Sequence, residues 1–367
     1  LQTWSTMMAD RYFSYEVIEE VQPEKGDHAV IFYKRKRHID VKTRRFSEGD
    51  ARELLGLAGA AAATVLPMRS WPALGRFASG LRYRRKREKG YVGFAESMQS
   101  VLGIHDDTLI EALFRVHLEM IVRRRFSLAL DHLAPRRNPR IDVLGAESLQ
   151  AALARGRGAI VWTSQFAYQT LAGKRALWEQ GFRPIQISDP YHGTSSTRFG
   201  NVTHNPLLRQ AEERYLKQRI VFERDSGATV TRKIVSLLDQ GELILLTNNV
   251  HAGSMFVEMP IGEQGHVSMP TAPLSIVARR ATPFFTMATL ETKPFERLEA
   301  VIQPVDDQGG AEVRAARRDY VRMASLALIA RDNLFTQFRR APEQYLIPAS
   351  LARSRVVPQS SDGGMSP

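Results

Sequence analysis

The stretch WTSQFAYQT, residues 162–170, places Ser164 and Gln165 where the apolar run GAIVW gives way to a helical pattern. In α/β proteins such strand-to-helix turns are where side chains meet ligands. Ser164 invites a nucleophile reading, but the Gly-x-Ser-x-Gly elbow that would expose it is missing. Gln165 neither takes nor gives a proton near neutral pH; its amide can donate a hydrogen bond to a developing oxyanion. Further polar groups follow other apolar runs: Asp189 and His192 in SDPYHGTSST, Arg224 and Asp225 in FERD, and Asn248, Asn249 and His251 in LLTNNVHAG. His251, His192, His204 and His266 are the candidate bases. The ordinary alternative for each is a surface or hydrogen-bonded structural histidine.

A chain of 367 residues, 43% hydrophobic and 25% charged, has an ordinary globular composition. With no cysteine there is no disulfide, thiolate ligand or cysteine nucleophile. No two histidines have helix-face ligand spacing, so no metal site is expected. The formal charge of +12 predicts a polyanionic partner: nucleic acid, an anionic membrane surface or an acidic carrier protein. Four basic runs carry it: YKRKRH, RYRRKREK, VRRRF and APRRNPR. Specific nucleic-acid binding is not expected, because no basic stripe interleaved with aromatics and no reading module is evident. Residues 54–66, LLGLAGAAAATVL, are too few to span a bilayer. They read either as a core helix or as a membrane-interfacial one, with Trp71, Phe77 and Tyr83 nearby.

These groups need a scaffold, and the periodicity supplies one. Residues 1–50 read as an appended element containing a small antiparallel hairpin. From 51 to 133 the pattern is helical, with Gly103 as a C-cap and the pair Asp106 and Asp107 opening the last helix. From about 141 helices and strands alternate, which predicts an α/β fold with a mostly parallel central sheet flanked by helices. Residues 51–346 then form the main domain, and the Ser, Gly and Pro rich residues 347–367 a disordered tail.

Four segments carry a family resemblance: VLGAESLQAALARGRGAIVWTSQFAYQTLAG, NPLLRQAEERYLKQRIVFERDSGATVTRKIVSLLDQGELILLTNNVHAG, VEMPIGEQGHVSMPTAPLSIVARRATPFF and the terminal FRRAPEQYL. In order and spacing, over residues 65–346, they resemble the late acyltransferases of lipid A biosynthesis, in the lysophospholipid acyltransferase superfamily. The resemblance implies a glycerolipid acyltransferase-like fold. It also implies a His with an acidic residue five positions later, which deprotonates an acceptor as it attacks an acyl thioester. Here those positions hold Gln165 and Thr170, and none of the nine histidines has an acid at that spacing. The Asp-Gln pair that the family shows after its next strand corresponds to Asn248 and Asn249. Arg214 falls where the resembling enzymes commonly carry Arg; it and Arg224 are candidates for holding a phosphate or a phosphopantetheine arm. Their ordinary alternative is pairing with Glu212, Glu213 or Asp225.

The resemblance implies no cofactor, an acyl-CoA or acyl-carrier-protein thioester as substrate, and a place at the cytoplasmic face of a bacterial membrane. Three readings remain open. The chain transfers acyl groups to an amine or hydroxyl with an altered motif, or it is a non-catalytic homologue that binds lipid, acyl carrier protein or a partner enzyme. The third is an unrelated site on a shared scaffold. Trp162, Phe166, Tyr168, Phe284 and Phe285 either line an acyl groove or fill the core.

Overall fold

The computed structural model describes residues 13–22, 29–37, 43–188, 190, 192–222, 227–247, 254–306, 316–352, 354 and 356. Its strands are β1 (Phe13–Val21), β2 (Val30–Arg37), β3 (Arg140–Leu144), β4 (Ala159–Thr163), β5 (Ile185–Ser188), β6 (Gln218–Val221), β7 (Leu243–Thr247), β8 (Met255–Ile261), β9 (Gly265–Pro270), β10 (Phe284–Lys293) and β11 (Arg297–Pro304). Its helices are α1 (Glu48–Ala63), α2 (Trp71–Leu102), α3 (Asp107–Leu133), α4 (Ala146–Leu153), α5 (Ala172–Glu179), α6 (Arg198–Val202), α7 (Asn205–Glu213), α8 (Gly227–Asp239), α9 (Thr271–Arg280) and α10 (Ala316–Arg340). The fold is α/β: a seven-stranded sheet in the order β3-β11-β10-β4-β7-β5-β6, flanked by helices. Neighbours in it are parallel except β10 and β11.

β4 is buried along its whole length because the sheet is covered on both faces. Side-chain alternation sends Ile160 and Trp162, with Ile244, Leu246 and Phe284, into one core against α2, α3, α9 and α10. Ala159 and Val161, with Leu243, Leu245, Phe285 and Met287, enter a second core under α4 and α5. All five candidate groove aromatics are buried core residues.

Residues 71–102 form one helix through the basic run, which contains good helix formers and no proline. Gly103 ends it at φ 66°, its N–H donating to the Gln99 carbonyl at 3.0 Å. Asp106 caps α3 by accepting from the N–H groups of Thr108 and Leu109, at 2.8 and 3.3 Å. The N-terminal hairpin does not stand apart. β2 pairs with β8, giving a four-stranded antiparallel sheet β1-β2-β8-β9, and Tyr33 stacks on Phe256 with ring centroids 5.5 Å apart.

The terminal segment that carries APEQYL folds back onto the β4–α5 turn. Ala167 N–H donates to the Gln344 carbonyl and Leu346 N–H to the Gln165 carbonyl, both at 2.9 Å. The Gln344 side chain accepts from Glu291 N–H at 2.7 Å and donates to the Glu291 carbonyl at 2.8 Å. His117 Nδ1–H donates to the Glu343 carbonyl at 2.7 Å. The composition predicts disorder from residue 347, yet packing continues to 352: Leu351 is 1% exposed and its carbonyl accepts from His266 N–H at 2.8 Å. Residues 357–367 lie outside the described residues.

Burial pushes the His117 imidazole down to about 4, with its bond to Glu343 opposing. The folded state keeps His117 neutral while the unfolded chain takes up a proton below about 6.5. Its contribution is therefore fully present above pH ~6.5 and is lost as pH falls toward 4, at up to ~1.4 kcal/mol per pH unit. Urea unfolding at stepped pH should show this slope, and His117→Gln should flatten it. Gln344→Ala, which orphans both buried peptide groups of Glu291, should cost about 2–4 kcal/mol in the same measurement.

Candidate functional site

β4 delivers its carboxyl end between β10 and β7. Thr163 Oγ1 donates to the Leu246 carbonyl at 3.1 Å and Ser164 N–H to the Met287 carbonyl at 3.1 Å, which fixes where the strand stops. Ser164 is buried, whereas Gln165 and Thr170 are partly exposed. The helical pattern of residues 166–181 becomes a helix only from Ala172; residues 166–171 are turns closed by Gln169 N–H on the Phe166 carbonyl, 3.1 Å. Gln169 itself is buried and accepts from Thr289 Oγ1 at 3.0 Å.

Two strand positions away, β5 leads into the loop that carries His192. The later part of that loop is held by two side chains. Asn205 accepts from the N–H groups of Thr194 and Ser195, at 2.9 and 3.1 Å, and donates to the Ser195 carbonyl at 2.7 Å. Asp50 of α1 accepts from Ser195 Oγ at 2.6 Å and Thr197 Oγ1 at 2.9 Å. Gly193 is required at this point, because a Cβ would lie 2.2 Å from Asn205 Cγ.

His192 faces Glu212 of α7, whose side chain is fully buried. Glu212 Oε2 meets His192 Nε2 and Lys174 Nζ, both at 2.8 Å, and Arg219 at 2.6 Å. Burial opposes charge on Glu212, but Lys174, His192 and Arg219 hold its carboxyl well below the usual range. Burial pushes the Lys174 ammonium down to about 8, with Glu212 opposing. An ionised Glu212 only accepts, so His192 carries its hydrogen on Nε2 and presents the lone pair of Nδ1. No described residue bonds that nitrogen.

The remaining candidates divide. Arg214 is held by Asp131 at the end of α3, at 2.6 Å to the carboxylate and 2.8 Å to the carbonyl. Glu212, an alternative partner for Arg214, is taken by Lys174, Arg219 and His192. His204 is buried, 3.9 Å from Asp50, and His266 is partly exposed on β9. Arg224, Asn248, Asn249 and His251, with Asp189, lie outside the described residues. Among the described residues no group of three His, Cys, Asp or Glu is placed to hold a metal.

VRRRF is split rather than presented as a basic face. Arg123 pairs with Glu291 at 2.7 Å and Glu119 at 2.8 Å, and Arg125 with Glu53 at 2.6 Å. Arg124 and Arg125 border a cavity of about 40 Å³ whose walls include Glu53, Tyr168, Thr170 and Thr194. Lys174, Glu212 and Arg219 escape a sequence reading: Lys174 is an unremarkable residue of a predicted helix, and Glu212 looks like a surface acid of AEER. The available signal was helical phase, since Glu212 follows the buried Ala211 on the face that α7 turns inward.

Neither the models of known protein families nor the curated proteins include a match to this chain.

Removing one member of a buried charge cluster leaves the others uncompensated. Glu212→Gln should cost about 3–5 kcal/mol at pH 7, and pairing it with Lys174→Met should recover part of that loss. Because Glu212 is held below its unfolded value of ~4.3, its contribution is present above that pH and lost as pH falls through and below it. Glu212→Gln should therefore narrow the stability difference between pH 7 and pH 4, read by urea unfolding.

Proposed function

We propose that this chain is a divergent relative of the late lipid A acyltransferases, which moves a fatty acyl group from an acyl-CoA or acyl-carrier-protein thioester to an amine or hydroxyl. The observation that carries the reading is His192, at the carboxyl end of the sheet, with Nε2–H on a buried carboxylate and Nδ1 unbonded by any described residue. This is a base with a fixed tautomer, of the kind that acyl transfer needs. β4 and β5 are separated by β7, about 10 Å between their axes, a distance that one substrate can bridge from one strand end to the other.

In this mechanism the acceptor oxygen or nitrogen attacks the thioester carbonyl carbon while its proton passes to His192 Nδ1. The Gln165 amide donates to the tetrahedral oxyanion. The carbon–sulfur bond then breaks and the leaving thiolate takes the proton back from His192. Lys174 and Arg219 share the Glu212 charge, and that carboxylate fixes the orientation and tautomer of the ring. A neutral amine acceptor depends less on the base than a hydroxyl does.

A place at the cytoplasmic face of a membrane is part of the same proposal. Among the described residues no helix is long and apolar enough to cross a membrane. Residues 54–66 serve two faces: Ala60 and Ala63 pack around Trp71, while Leu55 is 73% and Val65 83% exposed. Phe77, 69% exposed, and Leu81 continue the apolar surface onto α2, beside the exposed Arg69, Arg76 and Arg84. Apolar side chains with flanking arginines suit insertion at anionic headgroup depth.

Mass spectrometry after incubation with acyl-CoA and acyl-carrier-protein donors and a panel of amine and hydroxyl acceptors tests the reaction. Product should fall ~10²–10⁴-fold for His192→Gln with hydroxyl acceptors and less with amines, and ~10²–10³-fold for Gln165→Ala. A bound lipid without product from any pair would favour the non-catalytic homologue, a reading that the loss of both dyad positions also supports. In a separate experiment, Phe77→Glu with Leu81→Glu should weaken co-sedimentation with phosphatidylglycerol vesicles at least ~10-fold. Unchanged binding would remove this surface from the proposal.

A further inference from the structure

The three consecutive arginines of α3 do not share one fate. Arg123 and Arg125 meet carboxylates, but among the described residues Arg124 makes no hydrogen bond or ion pair. It borders the 40 Å³ cavity under the β4–α5 turn, where Thr170 and Thr194 bring hydroxyls and Tyr168, Leu171 and Leu128 bring apolar walls. A buried water needs at least ~10–15 Å³, so the space suits about three water-sized groups, the scale of the outer oxygens of one tetrahedral oxyanion.

The surrounding charge is unbalanced. Glu53 already serves Arg125, bonded to both its Nε and a terminal nitrogen, at 3.2 and 2.6 Å. Arg82 of α2 lies near enough to interact with Arg124, Arg125 and Glu53, and among the described residues its buried Nε has no hydrogen-bond partner. Among the described residues the guanidinium groups of Arg82, Arg124 and Arg125 thus all interact electrostatically with the Glu53 carboxylate. Burial and the Arg125 charge lower the Arg124 ionisation, with Glu53 opposing, yet a guanidinium stays protonated at neutral pH. Arg124 is partly exposed, and a cation held beside like charges is stabilised when an anion joins it.

We propose that this cavity binds a phosphate group of a phosphate ester, with Arg124 as its charge partner and Thr170 and Thr194 as hydroxyl donors. A guanidinium fork matches phosphate geometry and forms short charge-assisted bonds. This goes beyond the acyl-transfer reading and holds whether or not turnover occurs. It also gives Thr170 a task that the acidic residue of the family motif would oppose, since a carboxylate there would repel the phosphate.

Thermal unfolding and calorimetry with inorganic phosphate, at ionic strength matched with sodium chloride, test the site. Wild type should show a saturable rise in Tm, and Arg124→Gln should bind phosphate at least ~10-fold more weakly. Without phosphate, Arg124→Gln should melt close to wild type, because among the described residues it breaks no hydrogen bond or ion pair. Thr170→Val provides a second, milder variant and should also weaken binding. No phosphate effect on wild type, or an equal effect on wild type and both variants, would overturn the proposal. Competition against bound phosphate identifies the source of the ester. Stronger displacement by 4′-phosphopantetheine points to the donor arm, and by glycerol 3-phosphate to a lipid headgroup; displacement by neither would rule out an ester.

Discussion

The ion pair between Arg123 and Glu291 sits where the helical N-terminal part, the sheet and the terminal segment meet. Both side chains are almost fully buried, so each charge loses its water and must be satisfied by protein. Glu291 meets that demand with two carboxylate oxygens and two backbone groups. One oxygen takes Arg123 and the other the N–H of Phe295, while its peptide groups take the Gln344 amide. Phe295 consequently holds a left-handed φ of 61°, a conformation unusual for a bulky residue. Its ring fills the gap between Trp71 and Phe126, at 5.7 and 5.3 Å. One pair thus connects α3, the β10–β11 turn and residues 342–346, and those last residues hold the Gln165 turn in place by backbone bonds.

Helical geometry explains why neighbouring arginines do such different things. Successive residues of a helix point about 100° apart, so three in a row cannot face one partner. Arg123 turns to the sheet, Arg125 to α1 and Arg124 to the cavity between them. The same logic governs α7, where Glu212 points inward to Lys174, Arg219 and His192 while Arg214, two residues on, reaches the end of α3. Formal charge therefore says little about surface character here: several of the cations are consumed inside the fold.

The sheet sets the distances over which any chemistry takes place. β4, β7 and β5 are parallel, so their carboxyl ends open on one edge and bring Gln165 and the His192 loop to the same side. α1 contributes through Asp50, which fixes the His192 loop from outside the sheet. The helical N-terminal part is for this reason a structural participant in the site. Its outer surface remains apolar and arginine-flanked, so the same helical part meets both the candidate site and the proposed membrane.

The alternation of residues 141–305 into helices and strands, the buried character of β4, the Gly103 cap and the position of Gln165 at a strand-to-helix turn were all legible in the chain. Each rests on local periodicity or local backbone preference, which neighbouring residues encode. The β8–β9 hairpin and the packing of residues 347–352 were not, because their stability comes from strands and helices distant in sequence. By itself the sequence determined the order and type of most elements and the absence of a base and an acid at positions 165 and 170. Only the tertiary structure decided which charges meet: His192 with Glu212 across 20 residues and Arg123 with Glu291 across 168. Burial makes such pairing obligatory, but the choice of partner depends on where the sheet brings the chain together.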